Sequence, residues 1–186
     1  KPATLMVLAS PDSFFALKAR PLSPSPWASG MTAVTVTMAM AKLTRKTPVV
    51  IVHGGGREID ASLARAGIEK RQVDGLRITD EPTLDIVVGV LAGLVNTRFV
   101  AALGAAGVPA VGLTGADAGV ARVERAAPHI STLGETVDLG RVGEPVGKEK
   151  PALLVDLCRK GYVPVVSSIG ASRKGQLFNV NADTLA

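Results

Sequence analysis

The sequence predicts an α/β fold in which buried strands lie parallel to their neighbours. Three observations carry this expectation. Val49–Val52 and Tyr162–Ile169 are nearly continuous apolar runs rich in β-branched residues, as strands covered on both faces are. Gly67, Gly107 and Gly161 stand where a helix would end on a left-handed residue. Between Val49 and Leu113 the order is strand, helix, helix, strand, and helical crossovers are what parallel neighbours require. With 186 residues the chain can bury one domain, or most of one.

Taken in order, residues 1–47 differ from the rest. Pro2, Pro11, Pro21, Pro24 and Pro26 interrupt residues 1–30, which sustain neither a helical nor a strand period. Met31–Lys46 reads as a weak helix that Pro48 breaks. The whole stretch is read as an atypical leader, disordered or misassigned, with a cleaved transit peptide as the other reading. Residues 48–186 form the domain, with no repeat or linker dividing them.

Strand Val49–Val52 runs through His53 into Gly54-Gly55-Gly56, and Ile59, Leu63 and Ala66 mark the helix that follows. Gln72–Asp80 is polar and precedes a helix capped by Thr79 or Asp80, with Pro82 in its first turn. Leu84, Val87, Val88, Leu91, Leu94 and Val95 give that helix its apolar period, and Gly89 and Gly93 suggest close packing on another backbone. A separate helix is expected over Thr97–Ala106, then a strand over Val108–Leu113 and a turn over Thr114–Asp117. Residues 118–150 read as hairpins projecting from the sheet, using Val120–Val123 and Thr136–Val142. Helix Ala152–Lys160 leads to the strand at Tyr162–Ile169, a turn at Ser172–Gly175 and a strand at Gln176–Asn181. Asp183 looks like a helix cap with no helix after it.

Composition narrows the function classes. No apolar run reaches the roughly 18 uncharged residues of a membrane span, so Leu84–Val95, which contains Asp85, is read as a core helix. Cys158 stands alone, which rules out an internal disulfide and suits a small buried residue in a reducing compartment. The net charge of +5 lies wholly in residues 1–47, with six basic residues against Asp12, while 15 basic and 15 acidic residues balance in the body. With no basic stripe and few aromatics to stack on bases, nucleic-acid binding is set aside.

The glycine run is the first candidate site. Bare N–H groups at a helix start, with the helix dipole behind them, make an anion cradle; a tight turn is the alternative. An esterase oxyanion loop would need Gly-x-Ser-x-Gly, and Ser172 has Lys174 where glycine is required. No Walker A or Gly-x-Gly-x-x-Gly motif is present. Arg77 could clamp a carboxylate with two parallel hydrogen bonds or be a solvated loop residue. Asn179 and Asn181 alternate on a strand, so their amides share one face. Asp183 is a cap or orients cationic groups.

Four motifs in order, Val50–Gly56 (VIVHGGG), Gly75–Asp80 (GLRITD), Val163–Gly170 (VPVVSSIG) and Asn179–Asp183 (NVNAD), resemble the N-acetylglutamate kinases of the amino-acid kinase family. The resemblance covers residues 48–186. It implies a three-layer αβα sandwich with a mainly parallel central sheet, incomplete at its C-terminal side. It also implies transfer of the ATP γ-phosphoryl group, with Mg2+, to the side-chain carboxylate of N-acetyl-L-glutamate in arginine biosynthesis. Gly55 and Gly56 would place donors near the reacting carboxylate and phosphoryl, Arg77 would hold the α-carboxylate, and Asn179 would bind the amino-acid backbone. Asp183 would organise lysines around the transition state. A cytoplasmic homo-oligomer acting on a small molecule, away from membrane and nucleic acid, is expected. Two features depart from the family: residues 1–47 lack its Lys-x-Gly-Gly strand, and the chain stops before the nucleotide-binding half. The alternatives are an inactive remnant that binds an acidic amino acid or a partner subunit, and a kinase for carrier-bound α-aminoadipate in lysine biosynthesis.

Overall fold

In the computed structural model, residues 48–147 and 151–186 are described in full, and Leu5–Ala9 and Phe15–Lys18 by their backbone. The weak helix expected over Met31–Lys46 lies outside the described residues. The central sheet is built on β3 (Val49–His53), which pairs in parallel with β11 (Val163–Ser167), itself parallel to β6 (Ala110–Thr114). On the other edge of β3, β1 (Leu5–Ala9) pairs antiparallel, and β2 (Phe15–Lys18) pairs antiparallel with β1. Residues 1–30 thus contain strands that the prolines seemed to preclude. The physical reason is local: Leu5-Met6-Val7-Leu8-Ala9 is an unbroken apolar run between prolines, long enough for one strand.

Helices cover both faces, which makes three layers. On one face Val49, Ile51, Val163 and Val165 pack with Leu103 and Val108. On the other, Val50, Val52 and Val166 meet Leu154 and Ala182, with Cys158 partly buried beside them. Val49–Val52 and Val163–Val166 are therefore apolar throughout because each face has its own helical layer. Leu154 and Cys158 belong to α3 (Ala152–Arg159), and Cys158 is a packing residue whose thiol burial pushes it up from its usual range.

α1 (Gly56–Arg65) packs Ile59 and Leu63 on Val87, Leu91 and Val95 of the long helix α2 (Glu81–Ala105). Asp80 caps α2 by accepting from Thr83 N at 3.0 Å, as the sequence suggested. The two helices expected over Leu84–Val95 and Thr97–Ala106 are one element, with a π-helical stretch at Gly89–Val95. No proline intervenes to end the helix, and the wider turn lets adjacent Val95 and Asn96 both face inward. Gly89 and Gly93 do not pack on another backbone: both are exposed, and a Cβ at either would meet nothing within 4 Å. They lie away from the face that buries Val87, Leu91 and Val95. By length and composition α2 could cross a bilayer, yet its inward face is part of the core.

A second sheet runs in the order β12 (Ile169–Ala171), β13 (Leu177–Val180), β10 (Val142–Pro145), β7 (Val123–Arg125). The hairpins expected in residues 118–150 are partly this sheet, where β10 lies between β7 and β13, and partly the small hairpin β8 (His129–Ile130) with β9 (Thr136–Val137). The polar Gln72–Asp80 segment forms another small hairpin, β4 (Gln72–Val73) with β5 (Leu76–Arg77). Its turn uses Asp74 and Gly75, both at positive φ.

Candidate functional site

β3 delivers the chain to His53, level with Ser167 on β11. Gly55 is the N-cap of α1 and supplies no side-chain cap. The first N–H groups of α1 are therefore left to whatever enters the space before them, with the positive end of the helix dipole behind. Gly55 is also favoured sterically. A Cβ there would sit 2.9 Å from Leu91 Cδ2 and 3.1 Å from Val95 Cγ2.

Gly54–Gly56 line a cleft of about 210 Å³. All five residues singled out from the sequence border it: Gly55, Gly56, Arg77, Asn179 and Asp183. Arg77 comes from the β4–β5 hairpin, with its side chain 13% exposed. Nη2 pairs with Asp60, whereas Nη1 is buried with no hydrogen-bond partner among the described residues. A buried guanidinium donor without an acceptor is costly, and Arg77 itself borders the cleft.

Sequence reasoning missed Asp60 and Lys70, which both line this cleft. Lys70 Nζ donates to Asp60 Oδ2 at 2.8 Å. Partial burial of Asp60 opposes ionisation, but hydrogen bonds and charge from Lys70 and Arg77 outweigh it and hold the carboxyl below its ordinary value. Asp60 lies one helical turn after Gly56, so the i, i+4 rule could have placed it near the glycines. Lys70 sits in an irregular connection and carries no such signal.

Asn179, on β13, donates from Nδ2 to Thr79 Oγ1 at 3.2 Å, and Thr79 Oγ1 donates to Arg77 O at 3.3 Å. Thr79 is fully buried, with its own N–H on Leu139 O at 3.0 Å. One hydrogen of the Asn179 amide is thus held by the framework, which orients the side chain so that its oxygen can accept a ligand N–H. Asn181 lines the cleft as well, but its Oδ1 accepts from Asp183 N at 2.8 Å. That corrects the reading of Asp183: Asn181 is the N-cap of the short helix α4 (Ala182–Leu185), and Asp183 lies in its first turn. The cap must have extended backbone, which Asn181 has (φ −68°, ψ 125°). Asp183 makes no ion pair with a described residue.

Other chemistries find no support. Ser172 Oγ accepts from Lys174 N and Gln176 N at 3.3 and 3.2 Å and shapes a turn. Among the described residues no three His, Cys, Asp or Glu side chains gather as metal ligands.

Comparison with known proteins agrees with the geometry. A model of the amino acid kinase family matches residues 30–186. Acetylglutamate kinase from Methanopyrus kandleri is 48% identical over 137 residues, covering 74% of this chain and 54% of that protein. The enzyme of the same name from Symbiobacterium thermophilum is 46% identical over 154 residues, covering 83% and 52%. N-acetylglutamate synthase from Neisseria gonorrhoeae, complexed with coenzyme A and N-acetyl-glutamate, superposes with a TM-score of 0.64 at 26% identity, covering 83% of this chain and 34% of that one. The chain spans about half the length of the curated relatives it matches.

Proposed function

This chain belongs to the amino acid kinase family, and on that premise we propose that it forms the acceptor-binding side of a kinase for N-acetyl-L-glutamate. In this reading a side-chain carboxylate oxygen of the acceptor attacks the terminal phosphorus of ATP. The bond from that phosphorus to the bridging oxygen breaks, giving an acyl phosphate and ADP. Arg77 holds the α-carboxylate, Asn179 Oδ1 accepts the acetamido N–H, and the amides of Gly55 and Gly56 stabilise charge on the reacting groups. Asp183 orients cations about the transferred phosphoryl. Such chemistry depends on positioning and fixed charge more than on covalent help from the protein. Mg2+ would accompany the nucleotide; the described residues offer no ligand cluster for it, so it is given no step. Arginine biosynthesis, a cytoplasmic setting and a homo-oligomeric state belong to the same proposal.

The observation that carries it is Arg77, which borders the cleft beside the glycine turn and whose buried Nη1 has no hydrogen-bond partner among the described residues. The names of the two kinase relatives and the ligand of the gonococcal synthase support the choice of acceptor. Calorimetric titration of the chain with N-acetyl-L-glutamate, without nucleotide, tests it. We expect millimolar or tighter binding, weakened about tenfold or more in Arg77→Ala and also in Arg77→Lys, which keeps the charge without the fork. A folded chain that ignores N-acetyl-L-glutamate would overturn the assignment.

A further inference from the structure

His53 has no part in the chemistry above, yet its ring is fully buried and stacks on Phe99 with centroids 5.4 Å apart. Asn96, also buried, directs Nδ2 at Val165 O (2.8 Å), His53 Nε2 (3.0 Å) and Leu113 O (3.3 Å). Backbone carbonyls only accept, so the edge of Asn96 that faces two of them must be its NH2. Its oxygen turns toward Gly112, where a Cβ would collide with it. The two amide hydrogens go to the two shortest contacts, Val165 O and His53 Nε2, with Leu113 O the longer third; Nε2 thus accepts from Asn96, and the proton of the neutral ring sits on Nδ1. Nδ1 lies 3.2 Å from Gly54 O and donates to it. A trans peptide points its C=O and N–H in opposite directions. Holding the Gly54 carbonyl against the buried ring therefore turns the Gly55 N–H away from the ring, and Gly55 lines the cleft.

We propose that His53, locked by Asn96 as the Nδ1–H tautomer, is a positioning residue that aims the Gly55 amide at an anion in the cleft. Asn96 directly follows the π-helical stretch of α2, which brings its amide inward beneath the sheet. Burial pushes the His53 pKa down to about 4, against the opposing Gly54 hydrogen bond, so the ring stays neutral near pH 7. The inference rests on the acetylglutamate reading for its choice of probe alone.

The test uses the full chain labelled with 15N. Ring-nitrogen shifts of His53 report the tautomer, and the Gly55 amide resonance reports the turn. N-acetyl-L-glutamate is then titrated into the wild type, His53→Phe and His53→Asn. Phe keeps the ring shape and the stack on Phe99 without a donor, whereas Asn keeps a donor at the Nδ1 position. We expect Nδ1–H in the wild type, a displaced Gly55 resonance and about tenfold weaker binding in His53→Phe, and affinity within about threefold of wild type in His53→Asn, although both lose stability. An Nε2–H tautomer, wild-type binding by His53→Phe, or equal losses in the two variants would overturn the proposal. If the wild type itself does not bind N-acetyl-L-glutamate, the acceptor assignment fails, and the tautomer and the Gly55 resonance still decide the role of His53.

Discussion

Thr79 and Asn179 lie 100 positions apart in sequence and meet through one hydrogen bond, Asn179 Nδ2 to Thr79 Oγ1 at 3.2 Å. That bond joins the segment that carries Arg77 to the strand that carries Asn179. It also decides which atom of Asn179 is left for a ligand.

Thr79→Val keeps the shape of this buried residue and removes its hydroxyl. The amide of Asn179 and the carbonyl of Arg77 then each lose a partner, at a cost of about 1–3 kcal/mol in stability. Affinity for N-acetyl-L-glutamate should fall as well, because Asn179 becomes free to turn. Urea unfolding and calorimetry on one preparation check both; unchanged affinity would mean that Thr79 does not orient the site.

Stability should decline as the pH falls from about 6.5 to about 4, and His53 is the reason. Burial holds its folded pKa at about 4, below the ordinary value of 6.5. In that window the unfolded chain binds a proton that the folded chain refuses, so stability rises with pH across it. The full span amounts to roughly 3 kcal/mol at about 1.4 kcal/mol per pKa unit. Urea midpoints measured across this range should flatten in His53→Phe. An identical slope in that variant would place the proton elsewhere.

Gly55→Ala drives a methyl group against Leu91 Cδ2 and Val95 Cγ2. Both neighbours are buried, so relief requires those side chains to shift in a packed core, and a destabilisation of about 1–3 kcal/mol is expected. Leu91→Val should recover part of the loss in the double variant relative to the sum of the single ones. Simple additivity in thermal melts would show that the collision is relieved some other way.

Asp80→Ala removes the cap of α2 and should cost about 1 kcal/mol, whereas Asp80→Asn should lose only part of that. The Thr83 hydrogen bonds and the Arg71 charge hold the Asp80 carboxyl below its ordinary value, so the stability it lends is complete above the usual carboxylate range and fades as pH falls through the folded value. Guanidinium titrations of the three proteins at neutral pH read the difference.

Much of the fold was legible because its determinants are local. The apolar run of β3, the glycines after it, the Asp80 cap and the glycines that stop the helices all act within a few residues. They also placed Gly55, Gly56, Arg77, Asn179 and Asp183, since ordered motifs on strands and turns survive as sequence. The single helix α2 was misread as two because a π-helical stretch breaks the 3.6-residue period without ending the hydrogen bonding.

What the sequence by itself determined is therefore the α/β class, the glycine turn at a helix start and the identity of five of the residues around the cleft. Tertiary structure alone decided which atoms of those residues remain free. Asp60 takes one nitrogen of Arg77, Thr79 takes an amide hydrogen of Asn179, Asn181 rather than Asp183 caps α4, and Asn96 meets His53 Nε2. Those pairings depend on how distant elements are brought together, and hydrogen-bond partners far apart in the chain leave no period or spacing to read.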